Sequence, residues 1–468
     1  MPSFLHGIES IELTNGAVAV REVRTGVIGL IGLAPAGNVN TLTLVTGTAD
    51  AAQFGKELPG YTIPQALKAI FAQDGGGTVL VVNVLSVADN IDTETSEVHV
   101  ITDGVTKLTY APYDRTAAVV KNSAGTVTYT YGTDYTLDEY GNLRAIATIT
   151  EGQTIKITYT RLTPATVTNS QFIGDNVSGV RTGMFLFELA YNTFGFRPKI
   201  FIAPWYSTVQ AIANELTAAA EAYRAIALLD GVADWIPSEA IADRGLGGDT
   251  FATQDDRAYL VYPQVQAYDP YSDEDEVRPA SMFVAGLIAA NDRKNGYWFS
   301  PSNKQIKGIT GVERVIQWGL NDATCEANLL NEAGITTIVA GFGTGNLLWG
   351  NRSAAYPSVT TTINMISTRR ASDVLPESLE LPLLQFVDKP LNAAVIDAVK
   401  ESCNAFIRTL IQRGALVDGR CEYLPESNSA AELAAGHVTF DISFMPPSPA
   451  ERITLNTFID VNLLRAIQ

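Results

Sequence analysis

Side chains that could do chemistry are few in this chain, and they are scattered. His6, His99 and His437 lie far apart with no ligand-type spacing; a metal site would need carboxylates or thiols converging on them. Cys325, Cys403 and Cys421 share no CxxC spacing. Their odd number fits reduced, structural thiols in a cytoplasmically made protein, not a disulfide framework. GxSxG, HExxH and P-loop motifs are absent. One glycine run, Gly341-Phe342-Gly343-Thr344-Gly345, follows the apolar Ile338–Ala340 and invites a dinucleotide reading. A nucleotide-dependent enzyme would rest on it. However, Asn346 to Gly350 lacks the helix start that would aim backbone amides at a pyrophosphate, so a tight turn between strands is expected. The acidic stretch Asp269 to Glu276 lacks the glycine and ligand spacing of a calcium loop and reads as a solvated loop. The reading is therefore no catalytic residue, no metal, no cofactor and no enzyme.

The elements around these residues are clearer than the chemistry. Thr25 to Leu33 and Thr78 to Leu85 read as buried strands, with Gly26, Gly29 and Gly32 marking close backbone packing. Between them, Ile63, Leu67 and Ile70 at helical spacing, with Pro64 in the first turn, predict a helix over Thr62 to Ala72. Strands are expected at Lys199 to Ala203, Ala225 to Leu229 and Ala258 to Gln266, joined by crossover helices. One of these opens at Ser207 with Gln210 as its capping box. Leu391 to Gln412 predicts a long helix, with Asn392 as N-cap, Leu391 and Ile396 as a hydrophobic staple, and Gly414 as its end. From Asp89 to Thr168 threonine, valine and tyrosine dominate and turn signals are closely spaced. That region reads as a small antiparallel β domain inserted in a surface loop, with strands at Thr126 to Tyr131 and Thr154 to Tyr159.

Both ends of the chain alternate with period two. Ile11 and Leu13, then Val18 and Val20, mark the N-terminal arm. Val438, Phe440, Ile442 and Phe444 mark a strand near the other end. After the break Met445-Pro446-Pro447-Ser448-Pro449, the pattern resumes with Ile453, Leu455, Ile459 and Val461. Terminal strands need partners for their backbone groups. They either close the chain's own sheet or pair with neighbouring copies.

Composition limits the remaining choices. A chain of 468 residues is too long for one core and should hold two to four domains. With 46% hydrophobic and 18% charged residues it is globular, not disordered. A net charge of −18 repels phosphate backbones and argues against nucleic acid as a partner. No apolar run is long enough for a membrane span, and the N-terminus lacks the pattern of a secretory signal.

Several segments together resemble one family, the contractile tail sheath proteins of myovirus-type phages and R-type pyocins. They include His6-Gly7-Ile8 before the alternating arm, Val27 to Gly32, and Pro198 to Pro204 with Arg224 to Asp230 after it. The most specific is Val284-Ala285-Gly286-Leu287 through Asn291-Asp292-Arg293, continuing to Gly296-Tyr297-Trp298, Pro301-Ser302-Asn303 and Gly308. Trp349 to Arg352 and Ile363 through Arg369 complete the set. The resemblance implies a multidomain fold of the α/β and α+β classes. It would combine a mixed sheet flanked by helices, an inserted antiparallel β domain and exchanged terminal strands. The expected division is an N-terminal arm (1–25), a core α/β domain in two parts (26–88 and 169–350), the insert (89–168), an inner C-terminal domain with the long helix (351–436), and a recipient strand, proline hinge and donated strand (437–468).

The resemblance also implies function. Subunits would stack as hexameric rings around a tail tube and contract to drive it through the host cell envelope for genome ejection. Donor residues would be Ile8, Ile11, Leu13, Val18 and Val20 at one end and Ile453, Leu455, Ile459 and Val461 at the other. Val438, Phe440, Ile442 and Phe444 would form a recipient strand. Arg293, Lys294, Lys304 and Lys307 concentrate positive charge in one short segment and are candidates for facing the tube. Implied partners are further copies of the chain, the tail tube, and baseplate and tail terminator proteins, with no direct nucleic acid and no membrane insertion. The expected location is a virion tail assembled in the host bacterial cytoplasm. A surface adhesin or binding protein carrying an Ig-like β insert is the alternative.

Overall fold

The computed structural model describes residues 22–146, 148–245, 247–341, 343–460 and 462. Among them, nine strands form one mixed sheet. In chain order these are β1 (Val27–Gly32), β2 (Thr43–Val45), β3 (Thr78–Asn83), β4 (Ile200–Ile202), β5 (Ile226–Asp230), β6 (Ala258–Val261), β7 (Lys304–Gln305), β8 (Ile335–Gly341) and β9 (Gly345–Trp349). Their spatial order is β7-β9-β8-β6-β5-β4-β1-β3-β2. Pairing from β3 through β8 is parallel, whereas β2 and the β9–β7 pair add antiparallel edges.

Apolar residues in continuous runs explain why the middle of this sheet is covered on both faces. Val27 and Ile31 of β1, with Ala227 and Leu229 of β5, join one core cluster. Ile28 and Leu30, with Ile226 and Leu228, join the other. Helices α1 (Ile63–Phe71) and α3 (Ala280–Lys294) cover the second face, and α2 (Gln210–Ala222) covers the first. Pro64 sits in the first turn of α1, where its missing N–H costs nothing. Two glycines permit this packing. A Cβ on Gly29 would lie 2.8 Å from the Phe201 ring, and one on Gly286 would lie 2.7 Å from the Ile70 carbonyl oxygen, where α3 backs onto α1.

The chain leaves this sheet after β3 and returns beside its point of departure. Strand Ile91–Val100 pairs antiparallel with Thr154–Leu162, so that Ile91 faces Leu162. The Thr163 amide donates to the Asn90 carbonyl at 2.9 Å. Between them lie a four-stranded and a three-stranded antiparallel sheet around a separate apolar cluster that includes Tyr135, Ile157 and Tyr159.

The last unit is built on α4 (Ile366–Leu383), α5 (Ala393–Gln412) and a hairpin of β10 (Asp418–Glu422) with β11 (Asp441–Met445). It has its own cluster, with Val374, Leu375 and Leu379 against Phe406, Ile407 and Leu410. The Asn392 side chain caps α5 by accepting from the Val395 amide at 3.0 Å, and Gly414 ends it in the left-handed region.

Four expectations need correction. Ser207 does not cap a helix. Its hydroxyl donates to the buried Asp230 carboxylate at 2.9 Å, and α2 starts three residues later with no side-chain cap. The strand expected over Ala258 to Gln266 is split at Pro263, which has no N–H to continue a ladder; Val265–Asp269 belongs to another sheet. Nor is the acidic stretch a loop throughout: Val265–Asp269 pairs with Glu274–Arg278, and Asp269 is buried against Arg278 at 3.1 Å. Finally, β11 begins at Asp441, not Val438. The Asn428 side chain donates to the Thr439 carbonyl at 2.9 Å and accepts from its amide at 2.7 Å, withdrawing that residue from the ladder.

Candidate functional site

The C-terminal hairpin and the segment after it are the least finished part of the molecule. β10 and β11 pair in register Gly419↔Phe444 and Cys421↔Ile442, and among the described residues no third strand joins them. A two-stranded ribbon is marginal alone. This one rests on α5, with Phe440, Ile442 and Phe444 packed against the α4–α5 cluster. Among the described residues the outer edge of β11 pairs with no strand, whereas on β10 the Asn404 side chain already bonds the amide and the carbonyl of Cys421.

Beyond Met445 the prolines prevent a continued ladder. The segment crosses Arg352, whose guanidinium grips Glu451 with both arms, one at 3.1 Å, and also donates to Asn364 at 2.6 Å. Past that grip the apolar side chains are left in water. Ile453, Leu455, Phe458 and Ile459 are 78%, 82%, 87% and 101% exposed, and no strand pairing is found from 446 to 460. A run of this kind exposes surface that a finished fold would bury.

The N-terminal arm is rooted on the same unit. Glu22 pairs with Arg413, just past the end of α5, at 2.8 Å. The Val23 amide donates to Ser378 Oγ on α4 at 3.2 Å, and its side chain joins the α4–α5 cluster. The Val417 amide donates to the Met445 carbonyl at 2.8 Å. Both extremities thus leave from neighbouring points. Ile8, Ile11, Leu13, Val18, Val20 and Val461 lie outside the described residues.

This unit docks on the central sheet through charge. Along α4, Arg369 bonds Asp256 at 3.1 Å, Arg370 bonds Asp292 at 2.8 Å, and Asp373 receives Arg257 through two bonds of 2.6 and 2.9 Å. Further on, Glu377 pairs with Lys199, and Glu380 with Arg224 at 2.6 Å. Burial pulls the Lys199 ammonium below its usual range, against the opposing pull of Glu377. The row escaped the sequence reading, which assigned no element to residues 370–390; α4 runs through Pro376 and Pro382. The recurring charges three and four apart were the available signal.

The four basic residues are placed differently from one another. Arg293 donates to the Gly76 carbonyl at 2.7 Å and to that of Asp74, and Lys307 pairs with the Asp74 carboxylate. That hydrogen bond from Lys307 holds the Asp74 carboxyl below the ordinary range. Lys304 lies on the edge strand β7, opposite Leu348, and Lys294 is exposed in the last turn of α3. Gly341 and Gly345 face each other across the β8–β9 hairpin, and no helix follows. Among the described residues no three potential ligands gather to hold a metal ion, and no helix is long and apolar enough to cross a membrane. His99 lies 2.8 Å from the Glu97 carboxylate, and His437 bonds Glu432 at 2.9 Å.

Comparison with known proteins decides the family. The model for the phage tail sheath protein central domain matches residues 179–354, and that for the phage tail sheath C-terminal domain matches 358–460. The chain is 41% identical to the tail sheath protein of Burkholderia phage BcepMu, over 100% of this chain and 99% of the relative. It belongs to the phage tail sheath family. A putative prophage major tail sheath protein of Pseudomonas aeruginosa is 34% identical over 62% of the chain and 72% of its own length. In fold, the contracted helical sheath of the anti-feeding prophage superposes with a TM-score of 0.59 at 16% identity, covering 98% of this chain and 100% of that one. The chain is a structural subunit of a contractile tail sheath, with the mixed α/β fold of such proteins. No relative supports the adhesin alternative.

Proposed function

We propose that this sheath subunit polymerises by lending its extremities to neighbouring copies. The C-terminal segment from Ile453 onward adds to an open edge of the β10–β11 ribbon of another copy, and the N-terminal arm does the same. Backbone hydrogen bonds give continuity, while alternate side chains set register. Such head-to-tail contacts are heterologous and propagate as a helix. In this reading hexameric rings stack around a tail tube between baseplate and terminator, inside the host cytoplasm, and contraction later drives the tube through the envelope. A difference of a few kcal/mol per subunit between two packings, repeated over many copies, makes contraction one-way. No catalysis or cofactor enters. The division into arm, two-part core, insert, inner unit and terminal strands belongs to the same proposal. Lys294 and Lys304 are the better candidates for facing the tube, since Arg293 and Lys307 already hold the loop at Asp74.

One observation carries the proposal: an apolar segment in extended sequence pattern lies uncovered, and the β11 edge of the ribbon has no strand partner among the described residues. The test is electron microscopy and sedimentation of the full chain against a chain ending at Arg452, which keeps Glu451 in the grip of Arg352. The full chain should form hollow cylinders and the shortened one should stay monomeric with an unchanged melting temperature. Cylinders from the shortened chain would overturn donation of the C-terminal segment.

A further inference from the structure

Two of the three buried thiols face each other in the C-terminal unit. Cys403 lies in the middle of α5 and Cys421 on β10, exposed by 1% and 2%. Their side chains lie in the same apolar cluster and close enough to perturb one another's ionisation. The backbone between them is held in place: Asn404, next along α5, donates to the Cys421 carbonyl at 3.0 Å and accepts from its amide at 2.8 Å. Cys421 is fixed from the other side by its pairing with Ile442. Both thiols are free, and Cys325 sits in a different core cluster.

We propose that Cys403 and Cys421 form a disulfide when the subunit meets an oxidising medium, with a small-molecule disulfide as oxidant, clamping β10 onto α5. The Cys421 thiolate attacks one sulfur of the small disulfide, forming a mixed disulfide and releasing one small thiolate. Cys403 then loses its proton and attacks the Cys421 sulfur, and a second small thiolate departs. The protein gives up two hydrogens and two electrons, and the small disulfide becomes two thiols. The order of attack follows from the pair itself. The neighbouring Cys403 holds the Cys421 thiol below its usual range, with Lys400 acting in the same direction, while Cys421 pushes Cys403 upward. Access comes by local opening of the two-stranded ribbon, in which the two Asn404 bonds to Cys421 part. Compartment matters, because thiols stay reduced in a cytoplasm and oxidise outside it. This bond does not depend on strand donation.

The full chain is reduced, freed of reductant, incubated natively with glutathione disulfide, quenched in acid and alkylated with N-ethylmaleimide in denaturant. Peptide mapping should find a Cys403–Cys421 linked peptide two hydrogens lighter than its parts, with Cys325 alone alkylated. Dithiothreitol should restore all three sites, and the oxidised chain should melt at a higher temperature. Cys403→Ser and Cys421→Ser should each abolish the link; if either fails to fold, mapping of the native chain still decides. Three alkylated cysteines after a treatment that oxidises a control dithiol would overturn the proposal. So would a mixed disulfide that never closes, or a link that forms only in denaturant.

Discussion

The central sheet and the C-terminal ribbon solve the same problem to different degrees. In the sheet, six parallel strands are flanked by antiparallel edges and both faces are covered by helices. Among the described residues the ribbon has two strands, one supported face, a β11 edge without a strand partner and an uncovered apolar tail. One region satisfies its backbone and its apolar side chains within the chain, and the other leaves part of both uncovered among the described residues. Stability should therefore reside in the sheet and assembly in the ribbon, and the two should be separable by mutation.

The largest effect should come from the tail. Replacing Ile453, Leu455, Phe458 and Ile459 with serine removes roughly 1.5–3 kcal/mol of burial per side chain from any assembled state. Sedimentation should show loss of the polymer, while thermal melting of the monomer stays unchanged. A lowered melting temperature would break the comparison, because it would mean the tail already stabilises its own chain.

Next is the joint between the two regions. Asp373→Ala leaves Arg257 buried without its carboxylate and should cost about 3–5 kcal/mol. Urea unfolding would measure it, and limited proteolysis should then release the α4–α5 unit first. Unfolding with no loss of stability would show that the charges merely accompany an apolar contact.

Asp230 sharpens the sheet side of the comparison. It closes β5 by accepting from the Ser281 amide at 2.7 Å and from the Ser207 and Ser281 hydroxyls, and burial pushes its carboxyl up to about 6. The folded state therefore holds this proton more tightly than the unfolded chain does. Its ionisation opposes folding above the folded value, and that penalty fades as pH falls from about 6 toward about 4. Asn at this position keeps the shape and stays neutral, and the serine hydroxyls can turn to accept from it. The stability difference between Asp230→Asn and the parent should shift by about 2 kcal/mol between neutral pH and pH 4, in favour of the variant at neutral pH. Denaturation curves at a series of pH values would check this, and parallel pH profiles would exclude the ionisation as the cause.

The smallest effect belongs to the helix under the ribbon. Asn392→Ala deletes the cap of α5 and should cost about 1 kcal/mol, visible as a small drop in denaturation midpoint. Polymer formation should persist, since the ribbon itself is untouched.

Legibility in the sequence followed the same division. Buried parallel strands such as Val27–Gly32 and Thr78–Asn83 announced themselves as continuous β-branched runs, and α5 by its spacing and cap. Long-range side-chain engagement hid other features. Nothing local says that Ser207 is claimed by Asp230, or that Asn428 brackets Thr439. In α4, the ion pairs that anchor the helix join residues far apart in the chain, 116 positions for Asp373 and Arg257, which no local pattern reveals. At the candidate site, alternation drew attention to Ile442, Phe444, Ile453, Leu455 and Ile459, but could not tell a strand paired at home from one left open.

The insert offers a practical consequence. Asn90 and Thr163 lie side by side, joined by one hydrogen bond, so both ends of the insert enter the body at one place, while Tyr140 and Lys107 lean on Tyr271 as a lesser support. A foreign domain whose own ends lie close together could be spliced there without disturbing the sheet beneath. Each copy would then carry one passenger, spaced by the lattice instead of by a linker.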